Sequence, residues 1–152
     1  LDLKPAGSLR LISGNWQTPT KRAQRAQTED RFCFLNEVHS VTTASDWNHS
    51  EWTKLWLYNL HYFDDLTAFD AEQRVDWHRA LIQRWIEENP SGKGNGWEPY
   101  PTSLRIVNWI KWSLACNSFN DSWAYSLAIQ ARFLAQNLET HLLGNHLFSN
   151  EI

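Results

Sequence analysis

Three stretches of the sequence combine residue types that could bind or transform a ligand. They are the glycine-rich stretch 91–96, the aromatic and basic stretch 97–112, and the stretch 141–150. In the last of these, Asn145 and His146 directly follow Gly144. If Gly144 ends one helix, Asn145 and His146 begin the next, where backbone N–H groups and the positive end of the helix dipole face a ligand. This pattern is typical of an anion site, but a simple Asn N-cap and a buried structural histidine would produce it too.

The second stretch places a basic residue on an otherwise apolar segment. Arg105, Asn108 and Trp112 recur at steps of three and four, so a helix would bring them to one face. A buried arginine needs partners, because an unpaired buried charge is very costly. Arg105 could therefore form a structural ion pair with Glu98, or it could line a groove and bind a carboxylate or sulfate, whose oxygens match its planar guanidinium. The candidate substrate-binding residues are Arg105, Trp97, Tyr100, Asn108 and Trp112.

The glycine-rich stretch 91–96 does not predict a phosphate-binding loop, although it contains three glycines and Lys93. A nucleotide loop follows a strand and opens a helix at once. This stretch instead follows a helical pattern that stops at Asn89–Pro90, and it leads into Trp97. We interpret it as a connector; the alternative is that its backbone N–H groups line a ligand groove.

Composition and spacing argue against several other classes of protein. A net charge of −3 and a pI of about 6.1 argue against a nucleic-acid-binding protein. Cys33 and Cys116 match neither a disulfide framework nor a zinc site, and His141 and His146 lack a standard metal spacing. We therefore expect no metal and no other cofactor. No run of residues approaches the roughly 18 apolar positions of a membrane span.

The elements that must position these residues are mainly helical. From about Ser50 onward, apolar residues recur at three- and four-residue steps, which predicts helices over 50–66, 71–88, 101–117 and 121–143. Asp70 is a plausible N-cap for the second helix, Gly144 a plausible C-cap for the fourth, and a fifth helix is expected to start near Asn145 and to be cut off. Residues 1–48 are expected to form an irregular N-terminal arm with short extended pieces at 31–35 and 38–41. The prediction is an all-α unit over 49–152, preceded by this arm.

Aromatic residues make up 14% of the chain, and ten of them are tryptophans. Tryptophan offers a flat apolar face and one N–H donor, so it suits both packing between helices and stacking on sugar rings. Packing is the commoner reason for its presence.

Five sequence blocks, taken in order, resemble the heparinase II/III-like family, and more narrowly the N-terminal alginate-lyase-like helical domain of these polysaccharide lyases. The similarity covers most of the chain, from about residue 31 to its end. The blocks are Leu55–Phe63, Trp85–Pro90, Gly96–Pro101, Arg105 with Asn108–Trp109, and Gly144–Phe148.

The resemblance implies a fold in which an incomplete α/α toroid is followed by a large β-sandwich domain. Residues 49–152 would then be the first helices of the toroid, and the chain would be a fragment. The implied reaction is β-elimination on an acidic, uronate-containing polysaccharide, and the implied compartment is the periplasm or the exterior of the cell. In the lyases that this sequence resembles, an Asn or similar residue beside a His interacts with the uronate carboxylate. Asn145 and His146 match this pair.

The resemblance also implies a later tyrosine and histidine that act as base and acid. No match for them occurs up to Ile152, so residues 1–152 alone are expected to lack lyase activity. The alternative from another class of protein is a non-catalytic, carbohydrate-binding helical module that uses the tryptophans to hold a sugar without chemistry.

Overall fold

The computed structural model describes residues 3–4, 7, 14, 17–118 and 120–138. Over these residues the chain is mainly helical, which confirms the mainly helical character expected from the hydrophobic period, and it carries one small antiparallel sheet. The elements are β1 (Arg31–Phe34), β2 (Glu37–Ser40), α1 (Lys54–Tyr62), α2 (Val75–Glu88), α3 (Pro99–Cys116) and α4 (Asp121–Gln136). None of the helices described has the length and apolar character needed to cross a bilayer.

The two strands form a hairpin at the positions predicted for the extended pieces. Arg31 pairs with Ser40 and Phe34 with Glu37. Leu35 and Asn36 connect the strands with φ values of 55° and 63°, which is the left-handed geometry of the tight turn that matches strand twist. The hairpin is packed against the helices, since the Phe34 ring meets the edge of Trp56 on α1 at 5.1 Å between centroids.

The first helix is shorter than the predicted 50–66 because both of its ends are set by local geometry. Thr53 is the N-cap, and its hydroxyl accepts a hydrogen bond from the Trp56 N–H at 3.3 Å. At the other end Phe63 adopts the left-handed conformation with φ 59°, which ends the α-helix after Tyr62. A 3₁₀ turn over Asp64–Thr67 follows.

The prediction that Asp70 caps the second helix is wrong. Asp70 has φ 55° and makes no capping bond with its side chain. A 3₁₀ turn over Ala71–Arg74 comes first, and α2 begins only at Val75. The Arg74 guanidinium donates to Asp65 at 3.1 Å and to the Asp70 carbonyl at 3.1 Å, and these tertiary bonds stabilise the tight turn.

The third and fourth helices each start close to the predicted residue. Helix α3 begins with Pro99, whose missing N–H costs nothing in the first turn, and α4 is capped by Asn120, whose Oδ1 accepts from the Trp123 N–H at 2.9 Å. Helix α4 ends at Gln136 and not at 143: Asn137 leaves the helical conformation with φ −130°, and its backbone N–H donates to the Leu134 carbonyl at 3.0 Å. The predicted cap at 144 and the predicted fifth helix lie outside the described residues.

Tryptophans form much of the core between the helices. Trp85 on α2 meets Trp109 on α3 edge-on at 5.5 Å, and Trp112 on α3 meets Trp123 on α4 at 5.6 Å. Packing therefore accounts for seven of the ten tryptophans. The buried ones are Trp47, Trp56, Trp85, Trp97, Trp109, Trp112 and Trp123.

A buried carboxylate attaches the segment before β1 to the helices. Asp65 Oδ1 accepts from the backbone N–H groups of Arg25 and Ala26 at 2.6 and 3.0 Å, while Oδ2 contacts Arg74 at 3.1 Å and His78 at 3.0 Å. Burial alone would raise the pKa of Asp65, but the His78 and backbone hydrogen bonds, with the charge of Arg74, lower it to about 2. The arm is therefore joined to the helical core by an ionised group.

Candidate functional site

A cleft of about 490 Å³ lies between the stretch that precedes α3 and the C-terminal end of α4. Its volume is in the range of pockets that bind small ligands. Its lining combines aromatic rings, polar side chains and the backbone of two glycines. The lining residues are Gly92, Gly94, Trp97, Glu98, Pro99, Phe133, Asn137 and Leu138.

Asn48 holds the glycine-rich stretch in place at the edge of this cleft. Its Oδ1 accepts from the backbone N–H of Asn95 at 2.7 Å and from the Asn95 side chain at 3.1 Å. Gly94 has φ 79°, and a Cβ at this position would stand 2.5 Å from Asn48 Oδ1, so glycine is required. The stretch is thus a connector whose backbone at Gly92 and Gly94 also lines the cleft.

Two aromatic rings form the apolar wall of the cleft. The ring of Phe133 on α4 meets the ring of Trp97 edge-on, with centroids 5.3 Å apart and an interplanar angle of 84°. Trp97 is buried and its Nε1–H points to the Asn89 carbonyl at 3.4 Å, whereas Phe133 is half-buried. Phe133 therefore offers the more accessible apolar surface, and Trp97 supports it from behind.

Among the lining residues that the structure describes, the charged side chain is that of Glu98. It occupies the position before the first turn of α3 but makes no capping hydrogen bond there. Its Oε2 is 3.0 Å from Lys54 Nζ and also accepts a hydrogen bond from the Tyr58 hydroxyl. Its side chain is 36% exposed, so solvent or a ligand can reach the carboxylate.

Tyr100, a predicted substrate-binding residue, lies beside the cleft lining in a group of tyrosines. Its ring meets that of Tyr62 edge-on at 5.7 Å, and Tyr62 lies 6.4 Å from Tyr58. Burial, together with the neighbouring tyrosines, raises the pKa of Tyr62 well above its ordinary value. Tyr62 is therefore neutral, and Tyr100 packs against it without being part of the lining.

Arg105 is fully buried and directs its guanidinium into the protein. Its Nε donates to Gln130 Oε1 at 2.8 Å, its Nη1 to the Gly96 carbonyl at 2.7 Å and its Nη2 to Thr102 Oγ1 at 3.3 Å. The guanidinium also lies 3.8 Å from the centroid of the Trp85 ring, a favourable cation–π position. Arg105 thereby joins α2, α3, α4 and the segment before α3.

These contacts agree with neither interpretation of Arg105, the ion pair with Glu98 or the lining of a ligand groove. The ion pair with Glu98 does not form, because Glu98 pairs with Lys54. The guanidinium does not line the cleft either. Burial lowers the pKa of Arg105 below its ordinary value, and neutral oxygen acceptors with one aromatic face surround the charge.

Asn108 and Trp112 share the face of Arg105, as their spacing predicts, but this face is packed into the core. Asn108 Nδ2 donates to the Tyr62 carbonyl at 2.8 Å and to Asp64 Oδ1 at 2.9 Å. Trp112 is buried against Trp123. Of the five predicted substrate-binding residues, Trp97 is the one that lines the cleft.

A buried histidine supports the segment just before α3. His61 Nδ1 accepts from Trp85 Nε1–H at 3.0 Å, so the proton lies on Nε2, which donates to the Trp47 carbonyl at 2.9 Å. Burial, and then the positive charge of Arg105, lower the pKa of His61 to about 3. A Cβ on Gly96 would stand 2.6 Å from His61 Nδ1, so the chain passes directly over the ring.

The predicted catalytic residues, Asn145 and His146, lie outside the described residues. The last residues described before them, Asn137 and Leu138, line the cleft. In sequence, the cleft lining therefore leads directly into the stretch that carries the predicted anion site. No group of three or more His, Cys, Asp or Glu side chains within the described ranges is arranged to hold a metal ion.

Sequence reasoning did not find Phe133 and Asn137 as lining residues, and it assigned Glu98 only a structural role. The apolar stripe of the predicted fourth helix runs through Trp123, Leu127, Ala131, Leu134, Leu138 and Leu142. Phe133 falls outside this stripe, and an aromatic residue off the stripe is the available signal. Nothing in the sequence signals Asn137, because its position depends on where α4 ends.

Comparisons of this chain with protein-family models, with curated proteins and with solved structures find no match. The resemblance to the heparinase II/III-like family therefore rests on the five sequence blocks.

Proposed function

We propose that this chain is the first part of the helical domain of a polysaccharide lyase, and that the cleft beside Trp97 holds part of an acidic polysaccharide. The four helices would begin an incomplete α/α toroid, which further helices would continue and a large β-sandwich domain would follow. The observation that carries the proposal is the cleft itself. It combines aromatic walls with polar groups, and one of its lining residues, Leu138, precedes Asn145 by seven positions in the sequence.

The proposed reaction removes the C5 proton of a uronate and expels the sugar linked at C4. The electron pair of the C5–H bond forms the C4–C5 double bond, the C4–O bond breaks, and the departing oxygen takes up a proton. The C5–H bond is weakly acidic, so the adjacent carboxylate must be neutralised or strongly hydrogen-bonded. Asn145 would donate to that carboxylate and stabilise the negative charge that develops in the transition state. His146 would hold the substrate or share in the proton transfer.

The described side chains would contribute binding and not chemistry. Phe133 presents an aromatic ring at the cleft, and aromatic rings pack well on the apolar faces of sugars. Asn48 fixes the backbone of the glycine-rich stretch, so this wall of the cleft is formed before a ligand arrives. A preformed site loses less entropy on binding, which favours the capture of a flexible polymer.

The test is to express the protein from its complete gene and incubate it with a panel of uronate-containing polysaccharides. A lyase forms an unsaturated product that absorbs in the ultraviolet, whereas a hydrolase does not. We expect absorbance to rise with at least one polymer. If no absorbing product forms while glycans still bind, the lyase assignment is wrong.

A non-catalytic carbohydrate-binding module is the second candidate, and one observation favours it. The arginine expected to bind an anion is buried, and within the described part of the lining the charged side chain is the carboxylate of Glu98. A cleft of this character suits sugar hydroxyl groups and does not itself attract a polyanion. Saturable glycan binding, with no absorbing product from the complete protein, would support this candidate over the lyase.

A further inference from the structure

We infer that the cleft is a subsite for an uncharged sugar ring, and that Glu98 is its specificity-determining residue. This inference rests on the proposed carbohydrate function and goes beyond it by naming the type of sugar unit. It follows that the polymer carries uncharged units next to its uronates, and that a chain of uronates alone would not occupy this cleft.

The first argument is the charge of the lining. Glu98 brings a carboxylate to the described part of the cleft lining, whereas Arg105, the cation predicted to bind an anion, is buried with its donors directed to Gln130, Gly96 and Thr102. Lys54 contacts one oxygen of Glu98 at 3.0 Å, and Lys54 is not among the described lining residues, so the Glu98 carboxylate is the charge that a ligand in the cleft would meet. A sugar carboxylate placed here would lose water and meet a like charge, which is unfavourable.

The second argument is the hydrogen-bonding capacity of Glu98. Within the described part of the chain, the contacts from Lys54 and Tyr58 both use Oε2. A carboxylate has two oxygens and about four lone-pair positions, so Oε1 can accept from the hydroxyl groups of a ligand. The contacts to Oε2 hold the carboxylate in place, and hydrogen bonds to a charged acceptor are about twice as strong as neutral ones.

The third argument is the apolar wall. Phe133 is half-buried and lies against Trp97, so one face of a sugar could pack on an aromatic surface while its hydroxyl edge reaches Glu98. The backbone at Gly92 and Gly94 forms another part of the lining. This combination of an aromatic surface with a fixed acceptor is suited to a neutral, hydroxyl-rich ring.

The experiment measures binding of neutral oligosaccharides and of oligouronates to the protein, by calorimetry and by NMR of the tryptophan indole N–H signals. Neutral probes are oligomers of glucose, mannose and N-acetylglucosamine; acidic probes are oligomers of mannuronate and galacturonate. The test variant is Glu98→Gln, which keeps the shape of the side chain. The matched controls are Glu87→Gln, an exposed carboxylate on α2, and Lys93→Gln, an exposed cation on the glycine-rich stretch that is not part of the lining.

We expect a neutral oligosaccharide to bind, Glu98→Gln to weaken this binding roughly 10- to 100-fold, and the two controls to leave it unchanged. Neutral binding that Glu98→Gln does not alter overturns the role of Glu98. Tighter binding of oligouronates, particularly if Lys93→Gln abolishes it, overturns the uncharged subsite but leaves the lyase proposal standing. If no glycan binds the cleft while the complete protein still forms unsaturated product, the inference alone fails; if neither occurs, both proposals fail.

Discussion

The buried histidine under the segment before α3 should make the stability of this protein fall steeply in mild acid. His61 is fully buried, and its pKa is lowered from 6.5 to about 3, first by burial and then by the charge of Arg105. In the unfolded chain His61 takes up a proton near pH 6.5, whereas in the folded protein it stays neutral. The unfolded state therefore binds more protons as the pH falls, and the stability contribution that is complete above pH 6.5 is lost towards pH 3.

The size of the effect follows from the difference between the two pKa values. Relative to pH 8, protonation of the unfolded chain lowers the free energy of unfolding by about 1 kcal/mol at pH 5.5 and about 3 kcal/mol at pH 4.5. At these pH values the result depends almost wholly on the unfolded state, because the folded pKa of about 3 lies well below them. Asp65, with its lowered pKa of about 2, adds a loss of the same sign only in stronger acid.

The assay is urea unfolding followed by tryptophan fluorescence at several pH values from 8 to 4.5. The comparison is His61→Asn, whose amide oxygen can accept from Trp85 Nε1–H near the position of Nδ1. We expect the variant to be less stable at every pH but to show a shallower slope below pH 6.5. Equal slopes, or an imidazole NMR signal of His61 that titrates near pH 6.5 in the folded protein, would refute the reasoning. The NMR measurement needs only the unaltered protein, so it decides the matter if the variant does not fold.

Three further predictions follow from the same contacts and from the resemblance. Gly96→Ala should cost about 1–3 kcal/mol in urea unfolding, because its Cβ would stand 2.6 Å from the His61 ring, whereas Gly7→Ala, which meets nothing within 4 Å, should change stability by less than about 0.5 kcal/mol. Asp65→Asn should cost about 3–5 kcal/mol by leaving its buried arginine partner without an anion, and an unchanged unfolding midpoint would contradict this. In the complete protein, Asn145→Ala should lower turnover about 100- to 1,000-fold with little effect on substrate binding or folding, and Asn145→Asp should be at least as damaging. Unchanged turnover would leave Asn145 with no more than a helix-capping role.

Local patterns in the sequence were sufficient for the fold class and for most element positions. The hairpin at Arg31–Ser40 and helices α2 and α3 occur within a few residues of their predicted positions. Hydrophobic period, turn residues and proline act over three or four neighbours along the chain, so they can be read from one sequence. The helix ends were less predictable, because Asp70 and Asn137 adopt non-helical backbone conformations that their residue types alone do not require.

The role of each polar residue was decided by tertiary structure. Spacing placed Arg105, Asn108 and Trp112 on one face, but it could not say whether that face meets a ligand or the core. This face packs into the core, because Gln130 on α4, 25 positions further along the chain, accepts a hydrogen bond from Arg105. The cleft arises in the same way, from contacts such as that of Asn48 with Asn95, 47 positions apart. The spacing of residues along the chain predicts which of them share one face of a helix. Whether that face is buried or open to a ligand depends on which distant segments of the chain pack against it.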